Sequence, residues 1–321
     1  MHAIRQHEFG PPGVLRLEEV PDPGPGPGQV RIAVAAAGVH LLDTSIRAGR
    51  SGGPFPLPEL PMTPGREVAG VVDAVGEGVD PAWLGRRAVA HLGQASGGYA
   101  TRAVREADAV HEVPSALALP AAVAMIGTGR TALGVLEAAP PGPDDTVLIL
   151  GAAGGLGSLL VQAAKDAGAR VVGAAGGRSK VWHAGDLGAD LAVDYDEPGW
   201  DEAVGPVTLL LDGVGGERGR AALGRVRDGG RVSVFGWSSG EPTELDEAAL
   251  ARRDITSHPV LGKRMFERPG GLRSLETAAL ARAAAGGWTP LLNAPYTLAE
   301  AAKAHAALER RGTVGKVVLY A

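Results

Sequence analysis

The glycine-rich segment at residues 151–157 is the part of the sequence best suited to chemistry. It reads Gly151-Ala152-Ala153-Gly154-Gly155-Leu156-Gly157. Glycines at this spacing let a backbone turn tightly against a pyrophosphate, which the free amides of a following helix then bind. The dinucleotide fingerprint G-x-G-x-x-G occurs here without its first glycine, as Ala152-x-Gly154-x-x-Gly157. We expect a dinucleotide to be bound by Ala152, Gly154, Gly155, Leu156 and Gly157; the alternative is a purely structural turn.

The end of the next predicted strand, residues 170–174, indicates which dinucleotide is bound. NAD-binding proteins place an acidic side chain there to hold the ribose hydroxyls. Here the strand is followed by Ala175-Gly176-Gly177-Arg178-Ser179-Lys180, without Asp or Glu. Arg178 and Lys180 would attract a 2′-phosphate, and Ser179 could donate a hydrogen bond to it. We therefore predict NADPH, held by Gly177, Arg178, Ser179 and Lys180; the alternative is that these are solvated residues that begin the next helix.

Two kinds of element must position these residues. The first hundred residues contain short apolar runs separated by Pro/Gly turns, which predict a β-rich barrel or sandwich. After Pro120, apolar strands alternate with helices, which predicts a doubly wound parallel sheet. The predicted strands of the first part are 30–39, 68–75 and 87–91; those of the second are 146–150, 170–174, 191–193, 207–211, 231–235 and 258–261, with helices at 158–167 and 218–227. A capping box at Thr297 and Glu300 starts a helix in the tail, and residues 314–320 form a last strand.

Composition limits the class of protein. The 321 residues are 45% hydrophobic and 21% charged, which is typical of a soluble globular chain of two domains. A net charge of −5 without a basic stripe argues against nucleic-acid binding. The absence of cysteine removes disulfides and thiolate chemistry, and it suits the cytoplasm. Early charges argue against a signal peptide, and glycines interrupt the uncharged stretch 146–164, so we expect no membrane span.

Several motifs together resemble a known family. They are Ala35-Ala36-Ala37-Gly38-Val39-x-x-x-Asp43, Pro64-Gly65-Arg66-Glu67-Val68-Ala69-Gly70, Gly97-Gly98-Tyr99-Ala100, the glycine-rich segment and Gly315-Lys316-Val317-Val318. This combination is similar to the medium-chain dehydrogenase/reductases, and most similar to their zinc-independent quinone oxidoreductase (zeta-crystallin-like) branch. The resemblance implies a GroES-like catalytic domain (1–118 and 262–321), a Rossmann domain (119–261) and an active site in the cleft between them. It also implies a homodimer formed through an edge strand near 258–261.

The resemblance also bears on metal binding. The zinc-dependent branch takes its catalytic ligands from a Cys, a His and a Cys, and the corresponding places here are His40, Arg66 and Gly127. Glycine has no ligand atom and arginine brings a repelling charge, so we expect no zinc. The four-cysteine structural zinc lobe is absent as well.

Further site residues follow from the resemblance. His40 stands where the quinone oxidoreductase branch usually has an Asn facing the nicotinamide; the alternative is a loop histidine bonded to nearby backbone. Thr131 corresponds to a threonine near the nicotinamide, or is an ordinary helix hydroxyl. Tyr195 corresponds to a tyrosine near the adenine-side phosphate, or is a half-buried surface ring. The residues expected to border the cofactor at strand ends, where packing is the alternative, are Val214, Phe235, Gly236 and Ser238.

The predicted reaction is hydride transfer from NADPH to a quinone or an α,β-unsaturated carbonyl compound. Without a metal, His40, Thr131 or Tyr99 would polarise the carbonyl, and His40 or water would supply the proton. Asp43 would orient these groups, with Arg66 as its ion-pair partner, and a purely structural role is the alternative for these two charges. A core position is the alternative for Tyr99. Two other functions stay open, an enoyl-thioester reductase and a non-catalytic NADPH-binding sensor or scaffold.

Overall fold

The chain divides into two compact units. The computed structural model describes residues 1–50, 56–93, 96–260 and 263–321. The first unit comprises residues 1–127 and 276–321, and the second comprises residues 128–275. The sequence predicted domain limits at 118/119 and 261/262, which differ from the limits of these compact units and stay a prediction. Leu261, the last residue of the strand predicted at 258–261, lies outside the described residues.

Strands predominate up to residue 112, and strands alternate with helices between residues 146 and 257. The strands are β1 His2–Gln6, β2 Leu15–Glu19, β3 Gln29–Val39, β4 Glu67–Val75, β5 Arg87–His91, β6 Arg102–Glu106, β7 Val110–Glu112, β8 Thr146–Leu150, β9 Arg170–Ala175, β10 Leu191–Asp194, β11 Val207–Asp212, β12 Val226–Val234, β13 Thr256–Ser257, β14 Tyr296–Thr297 and β15 Val317–Tyr320. The α-helices are α1 Leu41–Arg47, α2 Leu119–Ala124, α3 Arg130–Ala138, α4 Gly155–Asp166, α5 Arg178–Asp186, α6 Trp200–Val204, α7 Gly216–Gly224, α8 Glu247–Arg252, α9 Lys263–Phe266, α10 Gly271–Ala284 and α11 Ala301–Glu309. A π-helical turn, Met125–Gly129, joins α2 to α3.

A seven-stranded sheet forms the centre of the first unit. Its order is β14-β15-β3-β4-β5-β7, with β6 also paired to β3. Side chains such as Val30, Ile32 and Val34 alternate with more exposed residues along β3, as expected for a strand with one face on a core. β15 pairs with β3 and β3 pairs with β4, so residues distant in sequence meet on adjacent strands.

The second unit contains the predicted doubly wound sheet. Its strand order is β10-β9-β8-β11-β12-β13, and all the neighbouring pairs are parallel. In sequence order this is 3-2-1-4-5-6, the arrangement of the Rossmann fold. All residues of β11 are buried, as expected of a strand covered on both faces. The predicted fold class, a GroES-like β-rich unit with a Rossmann unit, is confirmed.

Several predicted element boundaries were wrong; the strand predicted at 231–235, for example, is β12, Val226–Val234. The helix predicted at 218–227 is α7, which begins at Gly216 after the positive-φ residue Gly215. It ends at Gly224 because Val226 already pairs with Val207 in the sheet. The last strand begins at Val317 rather than at residue 314.

The predicted edge strand is displaced as well. The strand expected at 258–261 is the two-residue β13, Thr256–Ser257. His258 still donates its N–H to Val232, but Pro259 follows and has no N–H to continue the ladder. The homodimer expected through this edge stays a prediction.

Within the part of the chain that the structure describes, one helical stretch is long and apolar enough to cross a membrane by length and composition alone. It is Leu119–Ala138, with a mean hydropathy of 1.4, and 56% of its most apolar window is buried inside the protein. Such burial is typical of a core helix in a water-soluble protein. The uncharged stretch 146–164, for which the sequence predicted no span, forms β8, the glycine-rich turn and most of α4.

Candidate functional site

Three charged or titratable side chains meet in the first unit. His40 follows β3, Glu67 begins β4 and Lys316 precedes β15. The sheet register brings them together, because Gly38 pairs with Glu67 and Val39 pairs with Val317. His40 Nε2 lies 2.8 Å from Glu67 Oε1, and Lys316 Nζ lies 2.8 Å from Glu67 Oε2. Lys316 Nζ also lies 3.0 Å from His40 Nε2.

This cluster is largely removed from solvent. The side chain of Glu67 is fully buried, that of Lys316 is 5% exposed and that of His40 is 29% exposed. Burial by itself would raise the pKa of Glu67, but the charges of His40 and Lys316 outweigh it and hold that pKa well below its usual range. Glu67 is therefore a carboxylate at neutral pH, and His40 is the member of the cluster most open to a ligand.

Two glycines make room for the buried carboxylate. A Cβ at Gly38 would lie 2.2 Å from Glu67 Oε2, and a Cβ at Gly127 would lie 1.8 Å from Glu67 Oε1. Both distances are far below a van der Waals contact, so neither position accepts a side chain while Glu67 keeps its place. The glycine at 127, read from the sequence only as a missing metal ligand, thus has a packing reason.

Asp43 lies at the start of a second hydrogen-bonded chain. Its Oδ2 accepts from the backbone N–H of His40 at 2.8 Å and from the hydroxyl of Tyr99 at 3.0 Å. The Tyr99 oxygen lies 3.1 Å from Nε2 of the buried His305. Among the described residues, Asp43 forms no ion pair with Arg66, so that predicted contact was wrong; its oxygen is used by His40 and Tyr99 instead.

Tyr99 belongs to the core of the first unit. Its side chain is fully buried in the main apolar cluster. Burial and the nearby Asp43 carboxylate raise the pKa of its hydroxyl well above the usual value. A hydroxyl so placed orients Asp43, which favours the alternative of a core aromatic over contact with a substrate.

A cavity of about 220 Å³ adjoins Asp43 within the first unit. Its wall is partly apolar, and its cationic lining residues are Arg47 and Arg66. Arg47 is already paired with Glu309 at 2.5 Å, whereas Arg66 forms no ion pair among the described residues. The lining residues are Gln6, Leu42, Asp43, Ile46, Arg47, Pro56, Leu57, Pro58, Met62, Pro64, Gly65, Arg66 and Ser96.

The glycine-rich turn occupies the carboxyl end of β8 in the second unit. Gly151 has φ of +70°, and its carbonyl accepts from Gly154 N–H at 2.8 Å. A Cβ at Gly157 would lie 2.1 Å from that same carbonyl oxygen, so helix α4 packs directly on the turn. Helix α4 begins at Gly155, which leaves the amides of its first turn for an anion.

The predicted phosphate-binding residues lie at the carboxyl end of the neighbouring strand, β9. Helix α5 begins at Arg178, and Arg178 and Ser179 are exposed. Gly177, just before them, donates its N–H to Asp194 Oδ1 at 2.9 Å, which fixes the start of the helix. The sequence prediction missed this role of Asp194, a carboxylate used on the backbone rather than on a ribose.

Tyr195 lies against the same turn and brings a further cation. A Cβ at Gly176 would lie 2.8 Å from the Tyr195 ring, so the ring packs on the backbone there. The guanidinium of Arg218 lies 4.8 Å from the centre of that ring and pairs with Asp196. Arg218 was missed from the sequence, because only the fold brings α7 beside the end of β10.

The remaining predicted cofactor residues follow β11 and β12. Asp212 is buried, and its Oδ1 accepts from the N–H groups of Val214 at 2.7 Å and Gly215 at 2.9 Å. Val214 lies 3.4 Å from the position of a Cβ at Gly151, so it borders the glycine-rich turn. Phe235 is buried and packs against Gly213.

The residues after Phe235 complete this edge of the sheet. Gly236 also lies close to the backbone of Gly213, and Ser238 N–H donates to the Gly213 carbonyl at 3.2 Å. Thr131 lies in α3, half-buried, in the same unit. The fold thus gathers the strand-end residues at one edge of the sheet, where a dinucleotide binds in this architecture.

Comparisons with known proteins agree with this architecture. Residues 26–115 match the alcohol dehydrogenase GroES-like domain, and residues 155–268 match the zinc-binding dehydrogenase family. A quinone oxidoreductase of Sus scrofa is 32% identical over 99% of this chain and 97% of its own length. The chain belongs to the quinone oxidoreductase branch of the medium-chain dehydrogenase/reductases. Members of this branch are oxidoreductases, so the chain is an enzyme.

Solved structures resemble the whole chain. The Escherichia coli quinone oxidoreductase complexed with NADPH is 28% identical, with a TM-score of 0.86 and full coverage of both chains. A structure described as an NAD-dependent alcohol dehydrogenase is 29% identical, with a TM-score of 0.88 and full coverage of both. The choice between the two dinucleotides therefore depends on the residues at the end of β9.

The residues of this member of the family do not fit a catalytic zinc. Among the described residues, no group of three or more His, Cys, Asp or Glu side chains lies close enough to hold a metal ion. The ammonium of Lys316 touches both His40 and Glu67, the two side chains here that could ligate, and would repel a divalent cation. The positions of the other two expected ligands hold Arg66 and Gly127.

Proposed function

We propose that this enzyme transfers a hydride from NADPH to a quinone or an α,β-unsaturated carbonyl compound without a metal ion. The observation that carries the proposal is the end of β9, where cationic and hydroxyl side chains replace a carboxylate. Arg178 and Ser179 are exposed there at the start of a helix, with Lys180 beside them. A 2′-phosphate would gain charge-assisted hydrogen bonds from these groups, whereas an NAD ribose would find no acceptor on the strand.

The glycine-rich turn supplies the second part of the cofactor site. Gly154 and Gly155 open helix α4 beside the chain reversal at Gly151. Their amides would hold the diphosphate of NADPH, and Tyr195 and Val214 would border the rest of the molecule. NADPH, when bound, supplies the hydride; the protein supplies binding, orientation and a proton.

A metal-free site needs another source of positive charge, and Lys316 provides one. Its ammonium contacts His40 and Glu67 at 3.0 and 2.8 Å, in a buried position. We propose that this fixed cation replaces the electrostatic role of a metal near the substrate. A chelator is then expected to leave the activity unchanged.

The cavity beside Asp43 is the proposed place for the acceptor. It measures about 220 Å³ and has the apolar residues Leu42, Ile46 and Leu57 in its wall, which suits a small planar ring. Arg66 lines the same cavity and would stabilise the oxygen on which negative charge develops as the hydride arrives. His40 does not line this cavity itself but directly precedes the helix that supplies Leu42, Asp43 and Ile46, so an acceptor that extends from the cavity to the end of β3 would take its proton from that ring.

The cofactor assignment is tested by replacing Arg178 and Lys180 together with alanine. Since each charge-assisted contact contributes about 1.5–3 kcal/mol, we expect NADPH affinity to fall about 100-fold while NADH affinity changes little. Calorimetric titration with each dinucleotide measures both. The matched control is Arg220→Ala/Arg227→Ala, which removes two exposed cations of the same unit. Equal losses for NADPH and NADH in the first variant would contradict the assignment.

A further inference from the structure

A carboxylate from the segment after β10 lies at the carboxyl end of β9. Gly176 directly follows β9, at the place where dinucleotide-binding folds hold the ribose of the adenosine half. A Cβ at Gly176 would lie 2.5 Å from Asp196 Oδ2. The carboxylate of Asp196 therefore takes up the volume of a side chain at the end of β9. Although the sequence has no acidic residue directly after this strand, the fold supplies one from the next strand.

Asp194 holds the two segments together. Its Oδ1 accepts from the backbone N–H of Gly177 at 2.9 Å and from that of Asp196 at 3.0 Å. One carboxylate oxygen thus joins the start of α5 to the chain that follows β10. Because the link is made through backbone groups, the main chain at Asp196 stays beside the β9 turn when the partner of its side chain is removed.

Arg218, in the first turn of α7, pairs with this carboxylate. Its guanidinium lies 4.8 Å from the centre of the Tyr195 ring, which is a cation–π distance, and its Nη2 donates to Asp196 Oδ1. Asp196 is its only hydrogen-bond acceptor among the described residues, so other N–H groups of the guanidinium are left for a ligand. The side chain of Arg218 is 42% exposed and can therefore be reached by one.

The ion pair determines the charge that meets the adenosine half of the cofactor. A carboxylate without a partner accepts hydrogen bonds from the ribose hydroxyls of NADH and repels the 2′-phosphate of NADPH. A carboxylate paired with a guanidinium loses most of that repulsion. The remaining N–H groups of Arg218 can then donate charge-assisted hydrogen bonds to phosphate oxygens.

We propose, on the basis of the NADPH site of the proposed function, that Arg218 is a specificity-determining residue for the dinucleotide. By pairing with Asp196 it occupies the carboxylate that would hold the ribose of NADH, and it adds a cation for the 2′-phosphate. The preference for NADPH then depends on α7 and on the segment after β10, in addition to the cations at the start of α5.

The ratio of the dissociation constants for NADPH and NADH tests this role. Arg218→Gln leaves the carboxylate of Asp196 unpaired, so we expect NADPH affinity to fall about tenfold and NADH affinity to rise about threefold. In Arg218→Gln/Asp196→Asn no carboxylate remains, so the gain in NADH affinity should disappear and the loss of NADPH affinity should be smaller. Calorimetric titration of each variant with each dinucleotide measures these changes.

Two controls accompany these titrations. Arg220→Gln removes an exposed cation from the same helix and should leave the ratio unchanged. Thermal unfolding of each variant should also be little changed, because an exposed ion pair contributes little to stability. Titration with 2′,5′-ADP and 5′-AMP repeats the comparison with the adenosine half alone, and Arg218→Gln should reduce the preference for 2′,5′-ADP by a similar factor.

The outcomes distinguish this role from the proposed function. If the unaltered enzyme binds NADPH no better than NADH, the cofactor part of the proposed function fails, and the role of Arg218 fails with it. If the unaltered enzyme prefers NADPH but Arg218→Gln keeps the same ratio, or if the double variant retains the gain in NADH affinity, only the role of Arg218 and Asp196 is overturned. A lower preference for NADPH and for 2′,5′-ADP, partly restored by Asp196→Asn, supports it.

Discussion

The glycine-rich turn at 151–157 and the charged cluster around Glu67 both depend on glycine, but for different reasons. In the turn, a Cβ at Gly157 would lie 2.1 Å from a backbone oxygen of Gly151. In the cluster, a Cβ at Gly127 would lie 1.8 Å from the carboxylate of Glu67. The first obstacle is main chain and cannot move without the fold; the second is the end of a side chain. The conformation of the turn therefore depends on backbone packing. The arrangement of the cluster depends on side-chain charges, and its glycines only leave room for the Glu67 carboxylate.

The largest effect is expected at the turn. Gly157→Ala should reduce NADPH affinity by at least about 100-fold or prevent the second unit from folding, since helix α4 and the turn must separate. Titration with NADPH and thermal unfolding together measure this. Gly185→Ala is the control, because nothing lies within 4 Å of its added Cβ. Normal binding by Gly157→Ala would show that the contact at the turn is not required.

The first unit, which contains the charged cluster, also buries the titratable side chain of His305. Its free energy of unfolding should therefore depend on pH, which a turn made only of backbone cannot cause. Burial lowers the pKa of His305 from its usual value to about 4, with nearby Arg47 contributing, although Asp43 and Glu309 act in the other direction. Below pH 6.5 the unfolded chain therefore binds a proton that the folded chain does not. The free energy of unfolding should fall between pH 6.5 and about 4, by roughly 3 kcal/mol in total.

Denaturant unfolding at a series of pH values measures this loss. His305→Gln removes the titration and should flatten the curve in that window, whereas His7→Gln, at an exposed histidine, should not. Protonation of Glu67, whose pKa is lowered, affects stability only at more acidic pH. An unchanged slope in His305→Gln would mean that other groups cause the loss.

The same contrast explains how far the sequence could predict the site. The turn is local, so seven consecutive residues after an apolar strand were enough to predict it, and the alternation of apolar strands with helices predicted the parallel sheet. The cluster is assembled from segments near residues 40, 67, 127 and 316, whose proximity depends on the pairing of β15, β3 and β4. Glu67 and Lys316 were noticed only as parts of family motifs. One signal was present, since Glu67 and Lys316 each directly precede a run of apolar residues, and a charge that is buried with such a run is almost always paired.

Strand edges and buried networks were the least predictable parts. Pro259 ends the edge strand earlier than its apolar neighbours suggested, and the Asp43–Tyr99–His305 chain joins three segments without a recognisable spacing. Arg66 was expected to neutralise Asp43, but Tyr99 occupies that carboxylate oxygen. The partners of polar side chains depend on the three-dimensional fold, whereas periodicity in the sequence indicates only which faces of an element are apolar.

The smallest predicted effect concerns Gly127, and it measures how freely the charged cluster can adjust. In Gly127→Ala the carboxylate of Glu67 must move away from the new methyl group, which lengthens its 2.8 Å contact with His40. Because a side chain can yield where a backbone cannot, we expect a fall in kcat of about tenfold, or about 1.4 kcal/mol, with unchanged NADPH affinity. Steady-state kinetics with a quinone and an enone, beside Gly185→Ala as control, measure it. A loss as complete as that of Gly157→Ala would show that the cluster is as rigid as the turn, whereas an unaltered kcat would show that the position of Glu67 does not matter for the reaction.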